Sequence, residues 1–247
     1  MRETVLVVPC YNEAARLRGD ELLALARDGD LDLLFVDDGS TDATAERLAA
    51  LVGRSGGQAS FLRLERNQGK AEAVRRGLKR AVESGARLVG YADADLSTPA
   101  DELARLVGEA RRRRVQVVMG SRVRLLGSDI ARRPARHYLG RIFATGASLA
   151  LGVAVYDTQC GAKLFRVTPV LSAALERPFA SRWAFDVELL SRLIARGGRP
   201  GYTAADLVEV PLQRWRDVLG SKLGILAACR AGLDLIAIAW RLRVSGR

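Results

Sequence analysis

Arg87-Leu88-Val89-Gly90-Tyr91-Ala92-Asp93-Ala94-Asp95-Leu96-Ser97-Thr98-Pro99 decides the fold class, because it changes character twice within a few residues. Arg87–Gly90 reads as a short buried strand, and Pro99 followed by Ala100-Asp101-Glu102-Leu103 reads as the first turn of a helix. Two carboxylates, Asp93 and Asp95, therefore stand where a strand hands over to a loop. In extended backbone, residues i and i+2 point to the same side. Both are then expected to converge on one hard cation. Oxygen-only donors suit Mg2+ or Mn2+, and Mg2+ commonly takes one or two carboxylates together with substrate phosphates. The same residues also read as a polar strand-end loop in which an aspartate caps the next helix. The neighbouring segments must separate the two readings.

Upstream, Thr4-Val5-Leu6-Val7-Val8 is a continuous apolar run, as a strand covered on both faces requires. It ends at Pro9-Cys10-Tyr11-Asn12-Glu13, and a helix is expected through about Arg27. Leu31–Val36 is the second strand and runs into Asp37-Asp38-Gly39-Ser40-Thr41-Asp42, where Thr41 or Asp42 can cap a helix at about 43–52. Ser60–Leu64 is a third strand. Asn67-Gln68-Gly69-Lys70 then opens a helix with Ala73, Val74, Leu78, Ala81 and Val82 on one side. Downstream, Val115–Met119 is a further strand ending at Gly120-Ser121-Arg122. Strand and helix alternate from residue 4 to residue 122, which predicts a mostly parallel sheet with helices on both faces. Ligands bind such sheets at the carboxyl ends of the strands. Every polar motif just quoted falls on those ends, and this coincidence favours a site over scattered loops.

The composition removes several classes. The formal charge is +11, and arginine is dense from Arg105 to Arg141, where the acids are Glu109 and Asp129. Such a block fits a phosphorylated substrate, an anionic membrane surface or a solvated face. Arg111–Arg114 reads as a solvated helix end. Nucleic acid is not the expected partner, since aromatic residues do not interleave with the basic ones and no nucleic-acid motif is present. The single histidine, His137, excludes a histidine-based metal site and a histidine-dependent triad, and reads as structural. Neither GxGxxG nor GxxxxGK[ST] occurs, so nucleotide phosphates would be held through a metal and not by a glycine-rich cradle. Cys10, Cys160 and Cys229 are widely spaced and are expected to be reduced, as in a cytoplasmic protein. No leader is expected at the N-terminus, and no apolar run reaches the ~20 residues that cross a bilayer.

The second half is less regular. Gly127–Pro134 reads as a mobile loop, and Tyr138–Tyr156 as apolar and rich in small residues apart from Arg141. Asp157–Gly161 is a turn, Ala162–Val167 a strand, Phe185–Leu190 the start of a helix and Leu207–Pro211 a last strand. No linker separates this half, so residues 1–218 are expected to form one catalytic domain. Residues 219–247 would carry an amphipathic helix, from about Leu219 to Arg243. Lys222, Arg230, Asp234 and Arg241 fall within an arc of roughly 120° on it, and Arg230 and Asp234 form an i,i+4 pair. This helix suits a membrane interface or burial against the domain or a second copy of the chain.

Taken together, these motifs resemble the family-two glycosyltransferases of the GT-A fold, and within them the dolichyl-phosphate β-glucosyltransferase and dolichyl-phosphate mannosyltransferase branch. The resemblance rests on Val8–Glu13, Val36–Asp42, Asn67–Lys70, Asp93–Asp95, Gly120–Arg122, Asp157–Gly161, Arg182-Trp183-Ala184-Phe185-Asp186-Val187-Glu188 and Gly220-Ser221-Lys222. It implies inverting transfer of a hexose, glucose from UDP-glucose first and mannose from GDP-mannose second, to a polyprenyl phosphate. Pro9, Tyr11, Glu13, Val36 and Asp38 would contact base and ribose, with Asp37 supporting the loop. Gly69, Lys70, Asp93 and Ala94 would complete the nucleotide-sugar site. Asp93 and Asp95 would hold the metal and diphosphate, with Ser97 at a position where mannosyl relatives carry glutamine. Arg122 would face the phosphates.

The expected chemistry needs little acid–base machinery. A phosphate monoester has a second pKa near ~6 and is already a nucleophile at neutral pH. Arg122, Arg132, Arg133, Arg136 and Lys222 are the candidates for offsetting the repulsion between two anionic reactants. Asp157 reads as orienting a basic residue or the sugar, or as a turn cap. Trp183 reads equally as a sugar platform or a core residue. If the acceptor were a polysaccharide hydroxyl, Asp157 or Asp186 would have to act as base. The expected place of action is the cytoplasmic face of a membrane, by peripheral contact, with a homo-oligomer also compatible.

Overall fold

The computed structural model describes residues 2–131, 134–194 and 200–217, together with 232, 234–238 and 240 of the C-terminal segment. In chain order the elements are β1 (Thr4–Cys10), α1 (Gly19–Asp28), β2 (Asp32–Asp37), α2 (Thr44–Arg54), β3 (Ala59–Arg63), α3 (Lys70–Glu83), β4 (Leu88–Ala92) and α4 (Ala100–Arg112). They continue with β5 (Val117–Ser121), β6 (Asp129–Ala131), α5 (Pro134–Leu151), β7 (Ala162–Arg166), α6 (Pro169–Glu176), α7 (Phe185–Leu193), β8 (Leu207–Pro211) and β9 (Arg214–Arg216).

The main sheet has seven strands in the order β3-β2-β1-β4-β7-β5-β8. All pairings are parallel except those of β7, which runs antiparallel between β4 and β5. Side-chain alternation along β1 divides the core. Val5 and Val7 join the layer under α3, α5, α6 and α7, while Leu6 and Val8 join the layer under α1, α2 and α4. Helix α3 approaches the sheet closely because Gly77 faces Val7; a Cβ there would lie 2.3 Å from Val7 Cγ1.

The topology concentrates loops at one edge. Parallel strands leave the sheet at their carboxyl ends, whereas antiparallel β7 enters it there. Ala162 at the start of β7 pairs with Ala92 at the end of β4. The turn 157–161 is thereby delivered beside Asp93. On the far side, β8 ends at Pro211 opposite Ser121, and the chain turns into β9.

Two expectations are corrected. The stretch Gly127–Pro134, expected as a loop, carries regular structure: Leu125–Ser128 closes a turn, with Ser128 N donating to Leu125 O at 3.1 Å and Leu125 N to Ser128 Oγ at 3.0 Å. Asp129–Ala131 then pairs in parallel with Arg214–Arg216. The expected extended geometry at Asp93 also ends one residue early. β4 stops at Ala92, and Leu96 N donates to Asp93 O at 3.2 Å, so the two carboxylates sit in a turn in which Leu96 has φ +50°. Helix α6 and strand β9 were not expected at all. Most of the 219–243 helix lies outside the described residues. Its described part, 234–238, is helical and buries Leu235 and Ile238 against the domain. Asp234, placed on a polar stripe by the sequence, accepts from buried Ser181 Oγ at 2.5 Å.

Candidate functional site

On the β1–β2 side the loops are knitted together by side chains that satisfy backbone donors. Asn12, at φ +52°, donates from its N to Ser40 Oγ at 3.0 Å and accepts from Thr41 N at 2.9 Å. Glu13 N donates to Thr44 Oγ1, and Ala14 N to Asp42 Oδ2. Helix α2 starts after Ala43, so neither capping candidate occupies the N-cap position; Asp42, one residue further back, accepts from Thr44 N at 3.0 Å. Asp37 accepts from Ser40 N at 2.9 Å and pairs with Arg63 at 3.3 Å. Asp38 is only 2 % exposed, and its two oxygens accept from Gln68 N at 2.8 Å and Gly69 N at 2.7 Å. Burial raises the Asp38 pKa, and these bonds together with the Arg182 charge do not fully offset it. Asp38 thus fixes the 67–70 loop. Val36 packs in the core, Pro9 is half-buried at the strand end, and Tyr11 is exposed.

The carboxylate turn follows. Lys70 Nζ donates to Asp93 Oδ1. Burial pulls the Lys70 pKa down, but Asp93, Asp186 and Asp95 together raise it above its ordinary value. Asp93 also rests on Gly161, where a Cβ would fall 2.0 Å from Oδ2; only glycine leaves that carboxylate room. Asp95 Oδ1 accepts from Ser97 N at 3.0 Å and Ser97 Oγ at 2.8 Å, so Ser97 holds Asp95. Ala94 between them is buried. Glu13 completes the local field. Its Oε2 is buried without a hydrogen-bond partner among the described residues, and its pKa is raised by burial and by Asp95 and Asp93, against the lowering effect of Arg16.

This donor set fits a hard divalent cation. It is oxygen-only, it holds an orphaned buried carboxylate oxygen, and its acids attract a cationic side chain. Among the described residues, no group of three or more His, Cys, Asp or Glu closes a metal shell by itself. A cation there would need oxygens from a ligand, as Mg2+ commonly does.

The opposite wall is held differently. Arg122 Nε and Nη2 both donate to Asp157, each at 2.7 Å, and Arg122 N donates to Asp157 Oδ2 at 3.0 Å. Burial works against the guanidinium, yet the Asp157 charge outweighs it and raises the Arg122 pKa. The Asp157 turn is braced from beneath, since Glu209 accepts from Tyr156 N at 2.6 Å and Asp157 N at 2.7 Å. Behind the carboxylate turn lies a buried ion pair. Lys163, 1 % exposed, donates to Asp186 Oδ1 at 2.6 Å and to Cys160 O at 2.7 Å. Tyr91 OH donates to the same Asp186 oxygen. Burial raises the Cys160 thiol to about 11, so it is a neutral packing residue. Cys10 and Cys160 are both free and buried.

The structure therefore brings Pro9, Tyr11, Glu13, Asp38, Gly69, Lys70, Asp93, Asp95, Ser97, Arg122 and Asp157 to the same sheet edge. Arg132, Arg133 and Lys222 lie outside the described residues, as does the side chain of Arg136. Trp183 is exposed, which removes it from the core. Sequence reasoning placed Gly161 in a motif without a role, and gave no role to Lys163, Glu209 or Trp215. A lysine inside an otherwise apolar strand was an available signal for Lys163; the others depend on contacts between segments distant in sequence.

A family model described as Glycosyl transferase family 2 matches residues 5–171. The chain is 31 % identical over 250 residues to a dolichyl-phosphate beta-glucosyltransferase of Trichomonas vaginalis, covering 96 % of this chain and 70 % of that one. It is 29 % identical over 256 residues to a dodecaprenyl-phosphate galacturonate synthase of Rhizobium johnstonii, covering 99 % and 69 %. Among solved structures, it is similar in fold to glucosyl-3-phosphoglycerate synthase from Mycobacterium tuberculosis in complex with Mn2+, UDP-glucose and phosphoglyceric acid. The TM-score is 0.67 at 21 % identity, covering 96 % of this chain and 80 % of that one.

Proposed function

Because the chain belongs to glycosyl transferase family 2, we propose that it transfers a hexose, glucose from UDP-glucose, to the phosphate of a polyprenyl lipid with inversion at the anomeric carbon. The observation that carries this reading is the state of the two carboxylates able to act as base. Asp157 is held by Arg122 through a two-point ion pair, and Asp186 by Lys163 and Tyr91. A hydroxyl acceptor needs a carboxylate available to take its proton. A phosphate acceptor brings its own charged oxygen, with a second pKa near ~6. Curated relatives whose names specify dolichyl or dodecaprenyl phosphate support the same choice.

The roles then follow from position. Pro9, Tyr11 and Glu13 line the edge where base and ribose would lie, and Asp38 keeps the Gln68–Lys70 loop in place beneath them. Asp93 and Asp95 would hold Mg2+ or Mn2+, which when bound supplies Lewis-acid stabilisation of a leaving diphosphate. Lys70 shields Asp93 from the like charge of Asp95. Arg122 faces the reacting phosphates as a fixed cation, with Asp157 setting its direction. Arg132, Arg133, Arg136 and Lys222 remain candidates for the lipid phosphate. Peripheral membrane contact would use α5 and the C-terminal segment, which expose Ile142, Leu149, Ile236 and Trp240. No helix among the described residues is long and apolar enough to cross a membrane.

The test is a matrix of UDP-glucose and GDP-mannose against a short polyprenyl phosphate and the matching polyprenol, with Mg2+ or Mn2+. Transfer from UDP-glucose to the phosphate alone is expected. Equal transfer to the polyprenol would overturn the assignment.

A further inference from the structure

We propose, resting on the functional reading above, that Trp215 is a positioning residue for Arg122, and that strand β9 ties β6 to the Asp95–Ser97 turn. Asp157 engages one edge of the Arg122 guanidinium through Nε and Nη2. That contact fixes direction within the guanidinium plane but leaves the plane free to tilt. Trp215 presents its ring face to this cation, with Arg122 Cζ over the ring at 5.3 Å from the centroid, and so holds it from a second direction. Tryptophan offers the strongest face for a cation, whereas an aliphatic side chain would fill the space without attracting the charge. Edge and face together aim Nη1, which has no hydrogen-bond partner among the described residues.

The backbone of β9 widens the consequence. Arg216 N donates to Ser97 O at 3.1 Å, next to the Ser97 side chain that holds Asp95. Trp215 registers opposite Ile130 of β6, and Asp217 N donates to Ala131 O at 3.3 Å. Leu212 N donates to Ser121 O at 2.9 Å, one residue before Arg122. A three-residue strand thus touches the cation, the carboxylate turn and the strand that leads into α5. Trp215 itself is 8 % exposed and anchored in the layer containing Leu6 and Val8. The three parts cannot shift independently without breaking one of these contacts.

The test is a double-mutant cycle of Trp215→Leu and Arg122→Ala, with Trp215→Phe as the variant that keeps an aromatic face. It is read by acceptor kcat/KM, by UDP affinity in calorimetry, and by the Arg122 Nε–H NMR signal, assigned through its loss in Arg122→Lys. Trp215→Leu should lower kcat/KM about 10-fold while UDP affinity moves less than about 2-fold, and Trp215→Phe should recover most of the loss. In the Arg122→Ala background the same change should cost less than about 2-fold. The Nε–H signal should lose its ring-current shift and exchange faster. If Trp215→Leu folds poorly, Trp215→Phe against Trp215→Met makes the same comparison. An equal loss with and without Arg122, and an unchanged Nε–H signal, would overturn the proposal. If the wild-type protein transfers to no polyprenyl phosphate, the functional reading falls, and the NMR signal alone still decides the role of Trp215.

Discussion

The two walls of the site solve the same electrostatic problem in opposite ways. On the β1–β2 wall and in the turn after β4, Asp38, Asp42 and Asp95 are satisfied largely by backbone N–H groups, those on Asp38 coming from the loop after β3 and those on Asp42 and Asp95 from two residues on, while Asp93 takes Lys70. On the β5–β7 wall, Asp157 and Asp186 are satisfied by Arg122 and Lys163, cations brought from other segments. Backbone donors leave a carboxylate charged and local, able to attract a further cation. A buried cation cancels the charge and locks two elements together. The first wall is therefore suited to a metal and a nucleotide, and the second to an anion that needs a rigid positive counterpart.

The largest expected effect breaks the second wall. Lys163→Met leaves Asp186 buried without its cation, and should cost about 3–5 kcal/mol, lowering Tm by roughly 6–20 °C in thermal denaturation. Replacing both partners, Lys163→Met with Asp186→Leu, should recover much of that loss, because it removes the stranded charge as well. Comparable destabilisation by the double variant would mean the pair acts through packing alone.

The first wall should behave in the reverse manner. Asp95→Asn keeps an acceptor for Ser97 N and Ser97 Oγ, so Tm should move by less than about 3 °C. Turnover should fall by about 100-fold if this carboxylate holds the metal. Near-normal turnover of the folded variant in EDTA would remove metal binding from this wall.

A smaller effect sharpens the contrast through pH. The Glu13 pKa is raised in the folded protein by burial and by Asp95 and Asp93. Folding then favours the protonated form, so the stability Glu13 contributes is present below the ordinary glutamate value and is lost as pH rises through the raised one. Glu13→Gln should be more stable than wild type at pH 7 by up to about 1 kcal/mol, with the difference vanishing near pH 3. Denaturant titrations at the two pH values measure it, and a wild-type advantage at pH 7 would contradict the assignment.

The same contrast explains what could be read from the chain before its structure. Asp37–Asp42, Asn67–Lys70 and Asp93–Ser97 are self-contained loops whose partners lie at short range or across neighbouring parallel strands, so a strand–loop–helix reading located them. The second wall depends on β7 entering the sheet in the opposite direction, and no local pattern signals that reversal. Gly161 has meaning only once it rests on Asp93, and Trp215 only once it covers Arg122. Strand β9 is three residues long with a charged residue at either end of Trp215, too short for periodicity to register. Helix α6 did carry a signal: Thr168-Pro169 is a cap followed by a first-turn proline, with Thr168 Oγ1 accepting from Leu171 N at 3.2 Å. The expected extended geometry at Asp93 failed because Leu96 takes a left-handed conformation and closes a turn.

The central claim is that the attacking group brings its own negative charge and that no carboxylate of the second wall removes a proton. The pH dependence of acceptor kcat/KM tests it most directly, using a polyprenyl phosphate and the corresponding phosphonate, whose second ionisation lies higher. The account predicts a single rising limb at about pH 6 for the phosphate, a plateau above about pH 7, and an upward displacement of the limb with the phosphonate. A limb that stays at the same pH for both acceptors would belong to the protein, and would return Asp157 or Asp186 to the role of base.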